Sequence, residues 1–272
     1  MAIDPAALAQ EILDAYARRQ PIAIPPSARD GGLDLASAYA VESEIVRLRL
    51  ADARTVTGLK AGYANKAAWR ALKLQTLVWA HMYDDTVHHA AGNAATLPID
   101  RMFAPKIEPE IVFTLKRPLA AAAEPAAALE AVGSIALGFE IIDCLFPDWK
   151  VQPADFVASK GLHAALIVGE PVAVHPGNIA ALVEQLPVFT AKLMKNGDIV
   201  AEGGGRNVLR SPAACLAELA SAHAKASGSA PLPAGALISS GTMTDSQLIA
   251  RGDHWTAELA GLDLPPLSLR IA

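Results

Sequence analysis

The run KIEPEIVF, residues 106–113, sets two requirements at once. Its apolar content and alternation read as a core strand, with Ile107, Pro109 and Ile111 on one face and Glu108 and Glu110 on the other. Two carboxylates side by side disfavour each other's ionisation and destabilise the strand that carries them. A fold that buries this run must therefore set water, basic side chains or a cation against the pair.

The rest of the chain can build such a core. Of 272 residues, 52% are hydrophobic and 19% charged, enough for one large domain or a small N-terminal unit plus a main domain. Net charge is −5 and no basic run occurs, which argues against nucleic acid and anionic membrane surfaces as partners. Cys144 and Cys215 sit in apolar surroundings without metal-ligand spacing and read as buried free thiols in a reducing, cytoplasmic setting. The N-terminus lacks the basic-then-apolar order of a signal peptide, and no apolar run reaches the length of a membrane span.

Asp4 and Pro5 read as N-cap and first residue of a helix, and Asp34 opens a second. The segment TVTGLKAGYA reads as a strand and NKAAWRALKL as a short helix. Residues 1–95 are expected to form an α-rich region packed on a main domain, 96–272, of mixed β-sheet, giving an α+β fold. Its strands are KIEPEIVFTL, ALGFEIID, HAALIVGEPV, FTAKLMKNGDIVAEGG, GALISSG and the two in the C-terminal segment. The NGD at 196–198 marks a hairpin turn. Helices with Pro near their first position are expected at EPAAALEAVG and SPAACLAELASAHAKA.

Glu140 closes a second core-like strand, ALGFE, and Asp143 follows three residues later. Carboxylates gathered from two strands suit a hard divalent cation, Mg²⁺, Mn²⁺ or Ca²⁺, rather than zinc, since neither thiols nor a His cluster accompany them. The competing reading is a solvated sheet face, or ion pairs with Lys106 and Lys116. Lys60, in GLKAGYANK, and Lys160, in SKGLHAALIVG, are either surface lysines or buried proton-transfer groups. His163 is either a proton shuttle or a packed core histidine. Gly241 and Thr242, in SSGTMTD, offer backbone N–H groups and a hydroxyl that can hold a substrate carboxylate, or form an ordinary turn. No GxGxxG, Walker or GxSxG motif is present.

The ordered set GLKAGYANK, KIEPEIVF, ALGFEIIDCLFPDWK, NGDIVAEGGG and LISSGTMTD resembles the 2-keto-4-pentenoate hydratase / 2-oxo-3-hexenedioate decarboxylase family of the fumarylacetoacetase superfamily. The resemblance implies a fumarylacetoacetase-like mixed β-fold and a homo-oligomer. It implies Mg²⁺ (or Mn²⁺) held by Glu108, Glu110 and Glu140, with Lys60 at the position of the family's catalytic lysine. Substrates would be small unsaturated 2-oxo acids or their dienols, hydrated or decarboxylated through an enolate that a cation stabilises.

Three departures bear on the reaction. Lys160-Gly161 replaces an Asn-centred stretch usual in the hydratases, although Asp155 is retained. Val78 and Trp79 stand where an aspartate-bearing segment is usual. Arg210 replaces a glycine and either binds a second substrate carboxylate or caps the following helix. Lys160-Gly161 resembles the hydrolase and isomerase branch of the superfamily, so a C–C hydrolase, tautomerase or oxaloacetate-type decarboxylase is the alternative. Against hydrolysis, PSARDGGLDL carries no His. A non-catalytic protein that binds a metal and an oxo acid is a further alternative.

Overall fold

In the computed structural model, residues 3–121, 124–226 and 228–272 are described. The helices are α1 (Pro5–Arg18), α2 (Leu35–Ala51), α3 (Lys66–Leu72), α4 (Pro125–Glu130), α5 (Pro153–Ala158), α6 (Ile179–Gln185) and α7 (Pro212–Ala226). The strands are β1 (Val56–Gly62), β2 (Val78–Tyr83), β3 (Val87–His89), β4 (Ala94–Leu97), β5 (Lys106–Leu115), β6 (Val132–Ile142) and β7 (His163–Val168). They continue as β8 (Val172–Ala173), β9 (Thr190–Lys195), β10 (Asp198–Gly204), β11 (Leu237–Thr242), β12 (Gln247–Leu248), β13 (His254–Ala260) and β14 (Leu267–Ile271).

Among the described residues the strands form two mixed sheets. The larger runs β2-β1-β11-β5-β6-β7-β3, with β12 also on β5 and β8 also on β6. The smaller runs β10-β9-β13-β14-β4. Most neighbours are antiparallel, but β1 with β11, β3 with β7 and β14 with β4 are parallel. The α+β expectation holds, since helices and two mixed sheets share the chain.

Local chemistry explains the elements. The Asp4 side chain accepts from the Ala6 N–H and Asp34 from the Ser37 N–H, so both expected N-caps close their helices. Asn196 and Gly197 both take positive φ, 53° and 95°, the geometry of a tight hairpin between β9 and β10. The faces of β5 divide as alternation requires. Ile107, Ile111 and Phe113 enter the main core between the sheets, which α7 also joins, while Val112 packs with Met82, Ala136, Leu166 and Leu237 on the opposite side.

α1 and α2 pack together, and α2 lies on α5. Leu8, Ile12, Val41 and Ile45 pack there with Ile142, Phe156 and Leu162, building a second core beside the ends of β6 and α5. The segment from Val56 to Leu97 contributes the edge strand β2 and its neighbour β1 to the large sheet, so helical character concentrates before residue 52. Residue 95, where the sequence reading divides the chain, falls within β4.

Candidate active site

Adjacent strands carry the site in one row. β1 brings Lys60 opposite Ser239 of β11, and β11 places Thr242 opposite Glu110 of β5. Glu108 of β5 lies directly across from Glu140 of β6, and β7 begins at His163. Direct cross-strand pairing puts both side chains on one face, so register alone gathers the three carboxylates. One oxygen from each lies within 4.8 Å of the others.

Each carboxylate is held differently. Glu110 Oε2 accepts from Ser239 Oγ at 2.6 Å and from the Gly241 N–H at 2.8 Å, while its Oε1 is buried without a protein partner. The register shift in β11 between Ser239 and Thr242 lets both donors reach one oxygen. Glu140 is fully buried: its Oε1 faces His163 Nδ1 at 3.0 Å, and Lys60 Nζ stands 2.8 Å from Oε2. The latter is an ion pair off the direction of a well-formed hydrogen bond. His163 Nε2 lies 3.0 Å from Thr86 Oγ1. Because an ionised carboxylate only accepts, this pairing assigns the His163 proton to Nδ1.

Lys60 is 2% exposed and donates to the Gly161 carbonyl at 3.1 Å, with its Nζ 4.9 Å from the centre of the Phe156 ring. Gly161 is required for this approach. Its φ is +61°, and an added Cβ would sit 2.9 Å from Ala80 Cβ and 3.0 Å from Lys60 Cδ.

The charges are interdependent. Burial alone would lower the Lys60 pKa, but Glu140, Glu108 and Glu110 outweigh it and the net shift is upward, leaving an ammonium. Burial raises Glu108 to about 7, opposed by Lys60 and assisted by Glu140. Burial and then the Glu140 charge raise Glu110 well above the carboxylate range. Burial also acts against Glu140, but Lys60 and His163 bring it below its ordinary value. Burial lowers His163 despite Glu140, consistent with a neutral ring. Three acids with one ammonium between them, and a buried Glu110 oxygen without a protein partner, fit a hard divalent cation bound by oxygen.

The site opens into a cavity of about 510 Å³ whose lining includes Lys60, Glu108, Glu110, Gly241 and Thr242. Glu140 and His163 lie behind that surface, the first paired with Lys60 and the second supporting the first. The Gly241 N–H is engaged by Glu110, and Thr242 Oγ1 donates to the Thr244 carbonyl at 2.8 Å.

Besides Glu140 and His163, two further predicted residues, Lys160 and Arg210, are outside the lining, and neither touches the carboxylates. Lys160 adopts φ +56° and directs its Nζ over the Tyr16 ring, 4.2 Å from the centroid, toward the α1 and α2 side. Arg210 is exposed, at a φ of +72°, and its backbone N–H bonds the Arg206 carbonyl. Asp143 is also excluded from the carboxylate group. It accepts from the Phe103 and Ala104 N–H groups and fixes the chain entering β5. Sequence reasoning missed Ser239, Phe156, Trp149 and Asn207. Ser239 lies in the quoted LISSG strand, but only the pairing of β11 with β5 shows that its hydroxyl reaches Glu110.

Two expectations follow from these supports. His163→Ala should weaken divalent-cation affinity about ten- to hundredfold by freeing Glu140, measured by titration calorimetry on folded protein. Lys160 is pushed down to about 8 by burial and by Arg49. Above that pH the unfolded chain holds a proton that the folded one has released, so the lysine's contribution makes stability rise between about 8 and 10. Lys160→Met should be more stable than the parent at pH 7 and should flatten this rise, read from denaturant midpoints across pH.

Residues 45–268 match the family model described as fumarylacetoacetate (FAA) hydrolase C-terminal. The chain is 29% identical over 231 residues to a 4-oxalocrotonate decarboxylase from a Pseudomonas species, covering 85% of this chain and 83% of the relative. It is also 29% identical over 217 residues to a 2-hydroxypent-2,4-dienoate hydratase from Pseudomonas putida, covering 78% and 92%. A solved 4-oxalocrotonate decarboxylase from Pseudomonas putida, complexed with magnesium and adipate, superposes with a TM-score of 0.87 at 26% identity, covering 98% and 97%. These relatives agree with the hydratase and decarboxylase resemblance read from the motifs. The chain belongs to the fumarylacetoacetate hydrolase C-terminal family.

Proposed function

We propose that this protein is a divalent-metal-dependent lyase that hydrates or decarboxylates a small unsaturated 2-oxo acid or its dienol. The observation that carries the reading is the meeting, in one cavity region, of three carboxylates within 4.8 Å and a buried, ion-paired lysine. The names of the relatives support the same reaction classes, and the magnesium of the superposed decarboxylase supports Mg²⁺, with Mn²⁺ as a chemical equivalent. The hydrolase, tautomerase and non-catalytic alternatives gain nothing from these relatives.

In this reading Glu108, Glu110 and Glu140 hold the cation. When bound, it polarises the 2-oxo group and favours negative charge on that oxygen. Lys60 supplies the mobile proton and a positive charge beside the reacting atoms. Its ammonium is kept in place by Glu140 and the Gly161 carbonyl rather than by water. Ser239 and Gly241 orient Glu110, and His163 orients Glu140. The apolar ring of Phe156 beside Lys60 limits water there, which protects a carbanionic substrate from indiscriminate protonation.

A panel of unsaturated 2-oxo acids, assayed for water addition and for CO₂ release, tests the reading. Turnover of at least one member is expected, and none on any member would refute it. Mg²⁺ at about a hundred times its Kd should also stabilise the folded chain by about 2.7 kcal/mol, read as a rise in thermal midpoint.

A further inference from the structure

The charge inventory of the cavity says which 2-oxo acids it takes. Among the described residues Lys60 is the cationic side chain in the lining, and Glu140 and the Gly161 carbonyl already engage it. The other charged lining residues are Glu108, Glu110 and Asp245, all acids. The lining also includes an apolar group, Tyr63, Ile142, Trp149, Val151, Phe156 and Leu162, and the polar Asn65, Asn207 and Thr244. Tyr63 and Phe156 pack with ring centres 5.1 Å apart, so their rings form one apolar patch of that lining.

Three cations that might serve a second anionic group lie outside the lining. Arg210 is exposed and outside the lining. Lys160 covers Tyr16. Lys106 stacks its Nζ 4.1 Å from the centre of the Trp149 ring and is likewise outside the lining.

We infer that the substrate is a monocarboxylate: a 2-oxo acid whose tail beyond the oxo group is uncharged and seats against the Tyr63, Phe156 and Trp149 wall. The inference rests on the proposed function, since it assumes that the substrate's 2-oxo acid end lies at the carboxylate cluster. A divalent cation and Lys60 together balance the three glutamates, and the head carboxylate of the substrate then adds one negative charge. A second carboxylate at the tail would lose hydration against the rings and aliphatic side chains without an uncommitted cation in the lining to receive it, with Asp245 adding repulsion. An uncharged tail gains from the same surface, at about fourfold in affinity per buried methylene.

The test is calorimetric binding to the Mg²⁺-loaded wild-type protein of two ligands of equal length, 2-oxohexanoate and 2-oxoadipate. They differ in a terminal methyl against a terminal carboxylate. The expected result is tighter binding of 2-oxohexanoate, by about tenfold or more. Equal or tighter binding of 2-oxoadipate would overturn the inference while leaving the lyase reading in place. Failure of both ligands to bind would overturn the inference together with the reading it rests on.

Discussion

Lys60→Met is expected to lower kcat by roughly a hundred- to ten-thousandfold, the range removed with a positioned proton-transfer group. Methionine nearly matches the lysine stem in volume, so the packing of the stem beside Gly161 is largely kept, while the hydrogen bond to the Gly161 carbonyl and the charge over the Phe156 ring go. What disappears is the ammonium 2.8 Å from Glu140. In the metal-free protein that loss leaves a buried carboxylate without its cation, a change that costs about 3–5 kcal/mol where nothing relaxes. Here the neighbouring acids already carry raised pKa values, Glu108 at about 7 and Glu110 well above its ordinary value, so proton uptake can relieve part of the strain. The variant should therefore be destabilised without Mg²⁺ and recover much of its midpoint with it. Steady-state kinetics and thermal melts at two metal levels separate the effects. A kcat within about threefold of the parent would remove Lys60 from the chemistry.

Glu110→Gln is expected to weaken Mg²⁺ affinity by more than about a hundredfold, beyond the loss typical of groups that merely orient a ligand. The amide keeps the shape of the side chain and one carbonyl oxygen. Ser239 and Gly241 both donate to the present Oε2, so the carbonyl turns toward them and the amide NH₂ takes the place of the bare Oε1. That NH₂ is a donor only and offers nothing to a cation. Stability of the metal-free variant should hold or improve, because an amide replaces a carboxyl group whose ionisation the buried cluster disfavours. The stabilisation by Mg²⁺ should vanish. Titration calorimetry and thermal midpoints measure the two; retained affinity would exclude Glu110 as a ligand.

Local signals carried much of the fold. Asp4-Pro5, Asp34 and Asn196-Gly197 act within a few residues, and each forms the cap or turn its chemistry predicts. KIEPEIVF was legible as a buried strand because alternation places its faces before any partner is known. The place of β1 and β2 within the large sheet was not legible, since it depends on β11 arriving from about 180 residues downstream to pair with β1.

The side chains divide the same way. Glu108, Glu110 and Glu140 lie on strands, where direction follows from register. Lys160 and Arg210 lie on connections at positive φ, where sequence position does not set direction. Asp143 follows the end of β6 by one residue and turns to backbone N–H groups of the 103–104 segment, a contact that no spacing encodes. Ser239 shows the reverse. An ordinary strand serine becomes a support for Glu110 once β11 lies against β5.

The most direct test of the account is conversion of an unsaturated 2-oxo acid by protein stripped with EDTA, before and after Mg²⁺ is returned. The three-carboxylate site predicts loss of turnover on stripping and recovery with Mg²⁺ in the wild type, and no recovery in Glu110→Gln. Undiminished turnover by the stripped protein would contradict it.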